Sequence, residues 1–348
     1  MEAAMSPPPL PPDLASLLVI APNWVGDVVM ATPVLRALRE HRPAARIVSA
    51  VRPGIGPLLR GAGWADELID LDPRGALGPL RAARRIRQTG ARAVLLLPNS
   101  FRSGLTARLA RCPVRVGYDR DGRGRLLTHA CPVPAATEPT PTVDYYAHLG
   151  AFAIGLADIP KIPALFVTGE EADAAAAALD GLDDPIGLLT PGASKPAKRW
   201  PPERFAAVAD TLSEDGFACV VSGSPGEASV TGAVVAAART PITDLTGALD
   251  LGVLKAVVRR ARVLITNDTG PRHLAAALGT PAVTLFGPTD HRWTTLPEAS
   301  ERCLLAEPFL PAEAVADRNP RLCAITRIPV RDVVDAARRL HAEKGSPR

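Results

Sequence analysis

"LASLLVIAPNWVGDVVMATPVLRAL", residues 14–38, decides the fold reading. Its opening, "LASLLVIA", is a short apolar run rich in Leu, Val and Ile, the pattern of a buried strand. Its second half places Val28, Val29, Leu35 and Leu38 at roughly helical spacing. Asp27 stands at the turn from strand to helix, beside Trp24 and the flexible Gly26. A carboxylate there either caps a helix or takes a proton from a ligand. Thr32 before Pro33 suits the cap of a helix starting at Pro33, which leaves Asp27 free. A helix starting at Asp27 and kinked near Pro33 restores the capping role.

The same rhythm continues outward. In the first half "SLLVIA", "RIVSAV", "ELIDLD" and "AVLLLPN" read as strands, with helical patterns at 33–41 and 76–89. A Pro- and Thr-rich loop (131–142) and a helical "VDYYAHLGAFAIGL" lead to "ADIPKIPAL" (157–165), read as an interdomain linker. The second half gives strands at "PIGLLTP", "FACVVSG", "ITDLTG", "RVLITND" and "PAVTLFG". Helices fall between them at about 202–214, 227–239, 250–260 and 270–278. The expectation is an α/β protein with two doubly wound parallel sheets and ligands at the carboxyl ends of the strands. Its parts are a disordered leader (1–14), a first domain (15–160), a second (161–328) and a terminal helix (329–348) able to pack back on the first. No G-x-G-x-x-G opens either half, which argues against nicotinamide chemistry.

Composition agrees. The chain has 348 residues, 47% apolar and 22% charged, which suits two ordinary soluble domains. No apolar run has the length of a membrane span, and the acidic, Pro-rich start lacks the form of a secretory signal. Five cysteines without C-x-x-C spacing suit a reduced, cytoplasmic setting, with unligated thiols and no metal. Residues 1–160 carry 19 Arg and Lys against 13 Asp and Glu; residues 161–348 carry 21 against 23. The first half is therefore the basic one, through "RAARRIR" (81–87) and "RVGYDRDGRGR" (115–125). Few aromatics interleave with these arginines, so no nucleic-acid partner is expected. They are either a solvated helix face or a landing surface for an acidic substrate.

Two stretches of the second half are prepared for a phosphate. "GASKPAKRWPPERFAAVA" (192–209) follows a strand with Gly192 at the turn, and Lys195, Lys198 and Arg199 as three cations on one loop. "TNDTGPRHLAAALGTPAVTLFGPTD" (266–290) ends a strand at Asp268 and opens a helix at Thr269-Gly270-Pro271. The free amides of that helix suit an anion, and Asp268 suits sugar hydroxyls. As plain caps, Asp268 or Thr269 need no ligand. His273 faces either a ligand or the core. Glu227 in "SGSPGEAS" is placed to hold ribose hydroxyls or simply to start a helix.

Taken together, six stretches resemble the ADP-heptose:lipopolysaccharide heptosyltransferases of glycosyltransferase family 9, most closely the heptosyltransferase II type. They are "NWVGDVVMATPVLRAL" (23–38), "LPNSFRSGL" (97–105), "GYDRDGRGRLLT" (117–128), "PAKRWPPERFAAVA" (196–209), "NDTGPRHLAAAL" (267–278) and "TLFGPTD" (284–290), in the family's order. The resemblance implies a GT-B fold, two Rossmann-like domains facing a cleft, with the acceptor on the first and the sugar nucleotide on the second. It implies inverting transfer of heptose from ADP-heptose to heptosyl-Kdo₂-lipid A, with no cofactor and no tightly held metal. It assigns Asp27 as the base for the acceptor hydroxyl and Lys198 as the phosphate-binding lysine. Asp268, Thr269, Gly270, Gly192, Lys195 and Glu227 fall on the donor side, and Trp24, Gly26, Asn99, Arg102 and Arg123 on the acceptor side. A lipid acceptor implies work at the cytoplasmic face of the inner membrane, with peripheral membrane contact. Two further readings stay open: a relative using another sugar or acceptor, and a non-catalytic sugar-nucleotide-binding protein. The loop "PGASKPAKRW" is one residue shorter than is common in the family, with Lys195 an added cation.

Overall fold

A computed structural model describes residues 8–134, 139–307 and 323–345. The chain divides into two compact units, Met1–Ala164 and Leu165–Arg348.

The first unit runs β1 (Ser16–Ile20), α1 (Val25–Met30), α2 (Thr32–His41), β2 (Arg46–Val51), β3 (Glu67–Asp70), α3 (Gly78–Gln88), β4 (Ala93–Leu96), α4 (Phe101–Leu109), β5 (Val114–Tyr118), β6 (His129–Cys131) and α5 (Thr142–Ile154). Its six strands are parallel in the order β3-β2-β1-β4-β5-β6. Strands covered on both faces read as continuous apolar runs, and β4 is buried at every position. One face of the sheet, with Leu18, Ile20, Val48, Val94 and Leu96, packs under Ala82, Ala83 and Ile86 of α3 and Ala107 of α4.

The second unit repeats the plan with α6 (Gly169–Ala178), β7 (Ile186–Thr190), α7 (Pro202–Glu214), β8 (Ala218–Val221), α8 (Ala228–Ala237), β9 (Thr243–Asp244), α9 (Leu251–Arg260), β10 (Val263–Asn267), α10 (Gly270–Leu278), β11 (Ala282–Phe286), β12 (Glu301–Leu305) and α11 (Val330–Gly345). Its strand order, β12-β11-β10-β7-β8-β9, is the same topology displaced along the sequence. Both sheets therefore reverse winding direction beside their own first strand, between β1 and β4 and between β7 and β10. The doubly wound parallel sheets expected from the sequence are present in both units.

Three expectations need correction. The leader was expected to be disordered over 1–14; residues 1–7 lie outside the described ones, but 8–14 are tied down. Leu10 is fully buried, its N–H donates to Ala153 O at 2.9 Å, and Arg42 Nε donates to Pro11 O at 2.8 Å. Thr32 is not a helix cap. It lies inside α2, donates to Val29 O at 2.7 Å and accepts from Ala164 N at 3.1 Å. The terminal helix was expected to be able to return to the first domain. Instead Val333, Val334, Ala337 and Leu340 of α11 join the core of the second sheet with Val263, Ile265, Val283 and Leu285. Its apolar stripe is buried there. Among the described residues no helix is long and apolar enough to cross a membrane.

Leu340→Ala should cost about 2–4 kcal/mol, the range for a buried leucine truncated in a packed core. Hydrogen exchange should then show lost protection in β10 and β11, with β1 and β4 unchanged. A loss in β1 instead would contradict this packing.

Candidate functional site

In the second unit the paired strands β7 and β10 end side by side, with Thr190 opposite Thr266. The next residue, Asn267, is fully buried and fastens the loop that follows β7. Its Nδ2 donates to Pro191 O at 2.8 Å and to Gly192 O at 3.3 Å, while its Oδ1 accepts from Trp200 N at 3.2 Å. Both ends of the 191–200 loop are thereby held to β10. Sequence reading passed over Asn267, taking it only as the end of a strand.

The loop carries one 3₁₀ turn, Pro196–Lys198, and its last residue meets the β10–α10 turn. Lys198 Nζ lies 3.6 Å from Asp268 Oδ2, and Arg272 Nη1 lies 3.4 Å from Asp268 Oδ1. Arg272 is itself almost fully buried and fixed. It binds Glu301 through both carboxylate oxygens (2.6 and 3.0 Å), donates to Thr294 Oγ1 at 2.8 Å and lies 4.9 Å above the Phe286 ring. Burial would raise the Glu301 carboxyl, but the Arg272 hydrogen bonds and charge hold it below its usual range. Thr269 is the N-cap residue of α10, yet its hydroxyl donates to Asn267 O (3.3 Å) and leaves the helix uncapped by a side chain. The first-turn amides after Gly270 are thus available to an anion beside Lys198.

Glu227 completes this rim. Its Oε2 accepts from Ser224 N and Ser224 Oγ, both at 2.8 Å, so it closes the turn that starts α8. The rest of the carboxylate lies over Gly192, where a Cβ would stand 1.8 Å from Glu227 Oε1. A side chain at Gly192 would displace that carboxylate. The helix-start reading of Glu227 is thus seen in its bonds to Ser224, with Oε1 left over Gly192. Lys195 does not join the cluster. Its side chain is exposed and forms no ion pair among the described residues; only its carbonyl is used, accepting from Lys198 N at 3.0 Å. His273 turns into the core, 5% exposed, with Nδ1 lacking a hydrogen-bond partner. Burial, and then the Arg272 charge, push its pKa down to about 3, so it is neutral at physiological pH.

In the first unit Asp27 lies in the first turn of α1, three residues after the N-cap Trp24. Its carboxylate makes no hydrogen bond or ion pair among the described residues, so it caps nothing. Burial raises its pKa to about 6. Tyr146 of α5 is close enough for the Asp27 charge to add to burial in raising its phenol. The separate α1 and α2 helices also answer the alternative of a helix kinked near Pro33: the break is at Ala31, and Asp27 belongs to the earlier piece.

The β4–α4 turn brings Asn99 and Ser100 to the same strand ends. Arg123, expected on the acceptor side, is instead fully buried beneath this turn. It donates to Tyr118 O (3.0 Å), Ser103 Oγ (3.0 Å), Asn99 Oδ1 (3.4 Å) and Pro98 O, and so sets the turn's shape from below. Arg102 is exposed and reaches Pro73 O at 3.1 Å, while Trp24 and Gly26 flank Asp27 on the open side. A cavity of about 40 Å³ lies between these turns, lined by Asn23, Arg52, Pro98, Ser100, Ser103 and Thr106 among others. Arg52 was missed; an arginine directly after the buried strand "RIVSAV" was its signal.

A family model for "Glycosyltransferase family 9 (heptosyltransferase)" matches residues 80–319. The chain belongs to glycosyltransferase family 9. Lipopolysaccharide heptosyltransferase 2 of Escherichia coli K12 is 30% identical over 298 residues, 80% of this chain and 84% of that protein. The solved E. coli ADP-heptose lps heptosyltransferase II superposes with a TM-score of 0.81 at 26% identity, over 95% of this chain and all of that one. The glycosyl transferase family 9 structure from Veillonella parvula DSM 2008 reaches 0.83 at 24% identity and supports the fold. The fold of this family 9 chain is therefore of the GT-B type.

Because folding raises the Asp27 pKa from the ordinary 3.8 to about 6, the native state binds the proton more tightly than the unfolded chain. The stability cost is absent below the lower value, grows between the two and is complete above the upper. Asp27→Asn should thus raise stability at pH 8 by on the order of 1–3 kcal/mol. Near pH 4 the two proteins should unfold alike. Equal melting temperatures at pH 8 would contradict the buried, unpaired carboxylate.

Proposed function

We propose that this family 9 enzyme transfers heptose from ADP-heptose to heptosyl-Kdo₂-lipid A, with inversion at the anomeric carbon. The observation that carries the chemistry is Asp27: partly buried, unpaired and raised to about 6 at the edge of a parallel sheet. A carboxylate of that pKa is deprotonated at neutral pH and basic enough to take a proton from a hydroxyl as the hydroxyl attacks. In this reading the acceptor oxygen displaces ADP in one step, the proton goes to Asp27 and the electrons of the broken bond leave with the diphosphate.

Lys198 and the open amides of α10 take the diphosphate, and they stabilise the negative charge that grows on it as the bond breaks. Asp268 fixes the lysine when the site is empty and turns to the sugar hydroxyls when it is filled. The free part of Glu227, over Gly192, accepts from the ribose hydroxyls. Asn99, Arg102, Trp24 and Gly26 meet the acceptor, and Arg123 supports Asn99 from beneath. The basic first half suits the acidic Kdo and phosphate groups of such an acceptor. A lipid acceptor places the enzyme at the cytoplasmic face of the inner membrane.

Incubation with ADP-heptose and heptosyl-Kdo₂-lipid A should release ADP and add one heptose to the acceptor mass. Tight ADP binding with neither product would instead indicate a sugar-nucleotide-binding protein, and transfer from another sugar nucleotide would indicate a relative of different specificity. Lys198→Ala should weaken ADP-heptose binding by about 1.5–3 kcal/mol, the range for a hydrogen bond to a charged group, and leave adenosine binding nearly unchanged. Equal losses for both ligands would show that the lysine acts through folding. Asp27→Asn should lower turnover by about 10²–10⁴-fold with ADP affinity retained. In the wild type kcat/KM should fall as pH drops through about 6.

A further inference from the structure

Among the described residues the four most exposed large apolar side chains are Trp24 (65%), Leu77 (61%), Leu80 (52%) and Phe101 (50%). All four stand at the carboxyl-terminal edge of the first sheet. Trp24 precedes α1, Leu77 precedes α3, Leu80 lies in the first turn of α3, and Phe101 opens α4. The hydrogen bond from Arg102 to Pro73 O ties the start of α4 to the loop that leads into α3. Isolated exposed apolar residues need no explanation, but a group confined to one edge does.

Beside that edge lies an uncompensated positive face. α3, "GPLRAARRIRQ", buries Gly78, Ala82, Ala83 and Ile86 and turns Arg81, Arg84, Arg85 and Arg87 to solvent. The helix contains no acid, and among the described residues Arg84, Arg85 and Arg87 form no ion pair. α4, "FRSGLTARL", adds the exposed Arg102 and Arg108 and also contains no acid.

We propose that this edge docks on an anionic lipid bilayer, with Leu77, Leu80, Phe101 and Trp24 entering the interfacial layer and the α3 arginines lying against the headgroups. Apolar side chains next to basic ones are the composition of surfaces that lie on membranes, and the arginines are drawn to anionic lipid within a Debye length. Trp24 suits the headgroup level, where its amphipathic ring is favoured. A nucleic acid fits less well, because two of the four apolar groups are leucines, which offer no face for base stacking. The inference rests on the lipid-linked acceptor proposed above, since the same edge carries Asp27 and would be brought to the surface where such an acceptor lies.

The test is co-sedimentation of the full-length protein with vesicles of phosphatidylcholine plus phosphatidylglycerol, against phosphatidylcholine alone. The wild type should partition onto the mixed vesicles and weakly onto the neutral ones, with binding reduced by salt. Replacing Arg84, Arg85 and Arg87 together by Gln should lower the partition about 100-fold, from roughly fivefold per arginine. Leu77→Ser with Leu80→Ser should lower it about tenfold or more. Both variants should keep the wild-type melting temperature, and the leucine variant should keep the wild-type turnover on a deacylated, water-soluble acceptor. Equal partition of all three proteins overturns the proposal, as does arginine-dependent capture of mixed-sequence RNA without vesicle binding. Transfer without vesicle binding removes the docking surface and leaves the activity; vesicle binding without transfer does the reverse.

Discussion

Where β1 pairs with β4, and β7 with β10, neighbouring parallel strands send their chains to opposite sides of the sheet. Loops leaving such a pair cannot pack over one another, so a gap opens at the carboxyl ends. Every group assigned a chemical role borders one of those two gaps or the loops beside it. Asp27 follows β1 and Asn99 follows β4; Gly192 and Lys198 follow β7 and Asp268 follows β10. The order of strands, more than any single residue, decides where chemistry is possible in each unit.

Asp27 and Asp268 show how differently a carboxylate can be held at such a gap. Asp268 sits between Lys198 and Arg272, and its charge is compensated on both sides. Among the described residues Asp27 has no compensating cation and only burial acts on it, which raises its affinity for a proton. An uncompensated buried acid is a better base and a cost to stability. In the function proposed above, the division into a positioning acid in the second unit and a proton acceptor in the first follows from surroundings, since the side chains are identical.

Much of this was legible in the sequence because the strongest signals are local. Apolar runs gave the inner strands β1, β2, β4, β7, β10 and β11, and the Gly, Pro and Thr that follow them marked the turns. Of the edge strands β3 and β9 were read, but β6, with three residues, and β12, which opens with Glu and Arg, were missed, as was the inner β5, whose second residue is an arginine. An edge strand is covered on fewer sides and keeps a weaker apolar pattern. Helix α6 was missed because a run of alanines carries little periodicity, although Thr168 and Glu171 form a capping box at its start. Lys198 and Asp268 were named from the sequence and lie together in the structure, whereas Arg272 and Glu301 were not named. Their role depends on an approach across 29 positions of sequence, and no local pattern encodes that. Arg123 was named for its charge and proved to be internal, because sequence shows a cation without showing whether carbonyls await it.

Arg272 and Arg123, both almost fully buried, show why a guanidinium is used where a lysine would not serve. Arg272 meets a carboxylate edge-on with Nε and Nη2, a fork that an ammonium lacks, and still reaches Asp268 and Thr294 with Nη1. Arg123 has no carboxylate among its hydrogen-bond partners and spends its donors on two backbone carbonyls and two side-chain oxygens. Burial lowers the Arg123 pKa, but from a value so high that the charge survives. A lysine with the same burial loses its proton more readily unless paired, as Lys255 is with Glu171 at 2.9 Å. Arg123 can therefore organise a turn from inside without a carboxylate hydrogen-bonded to it among the described residues.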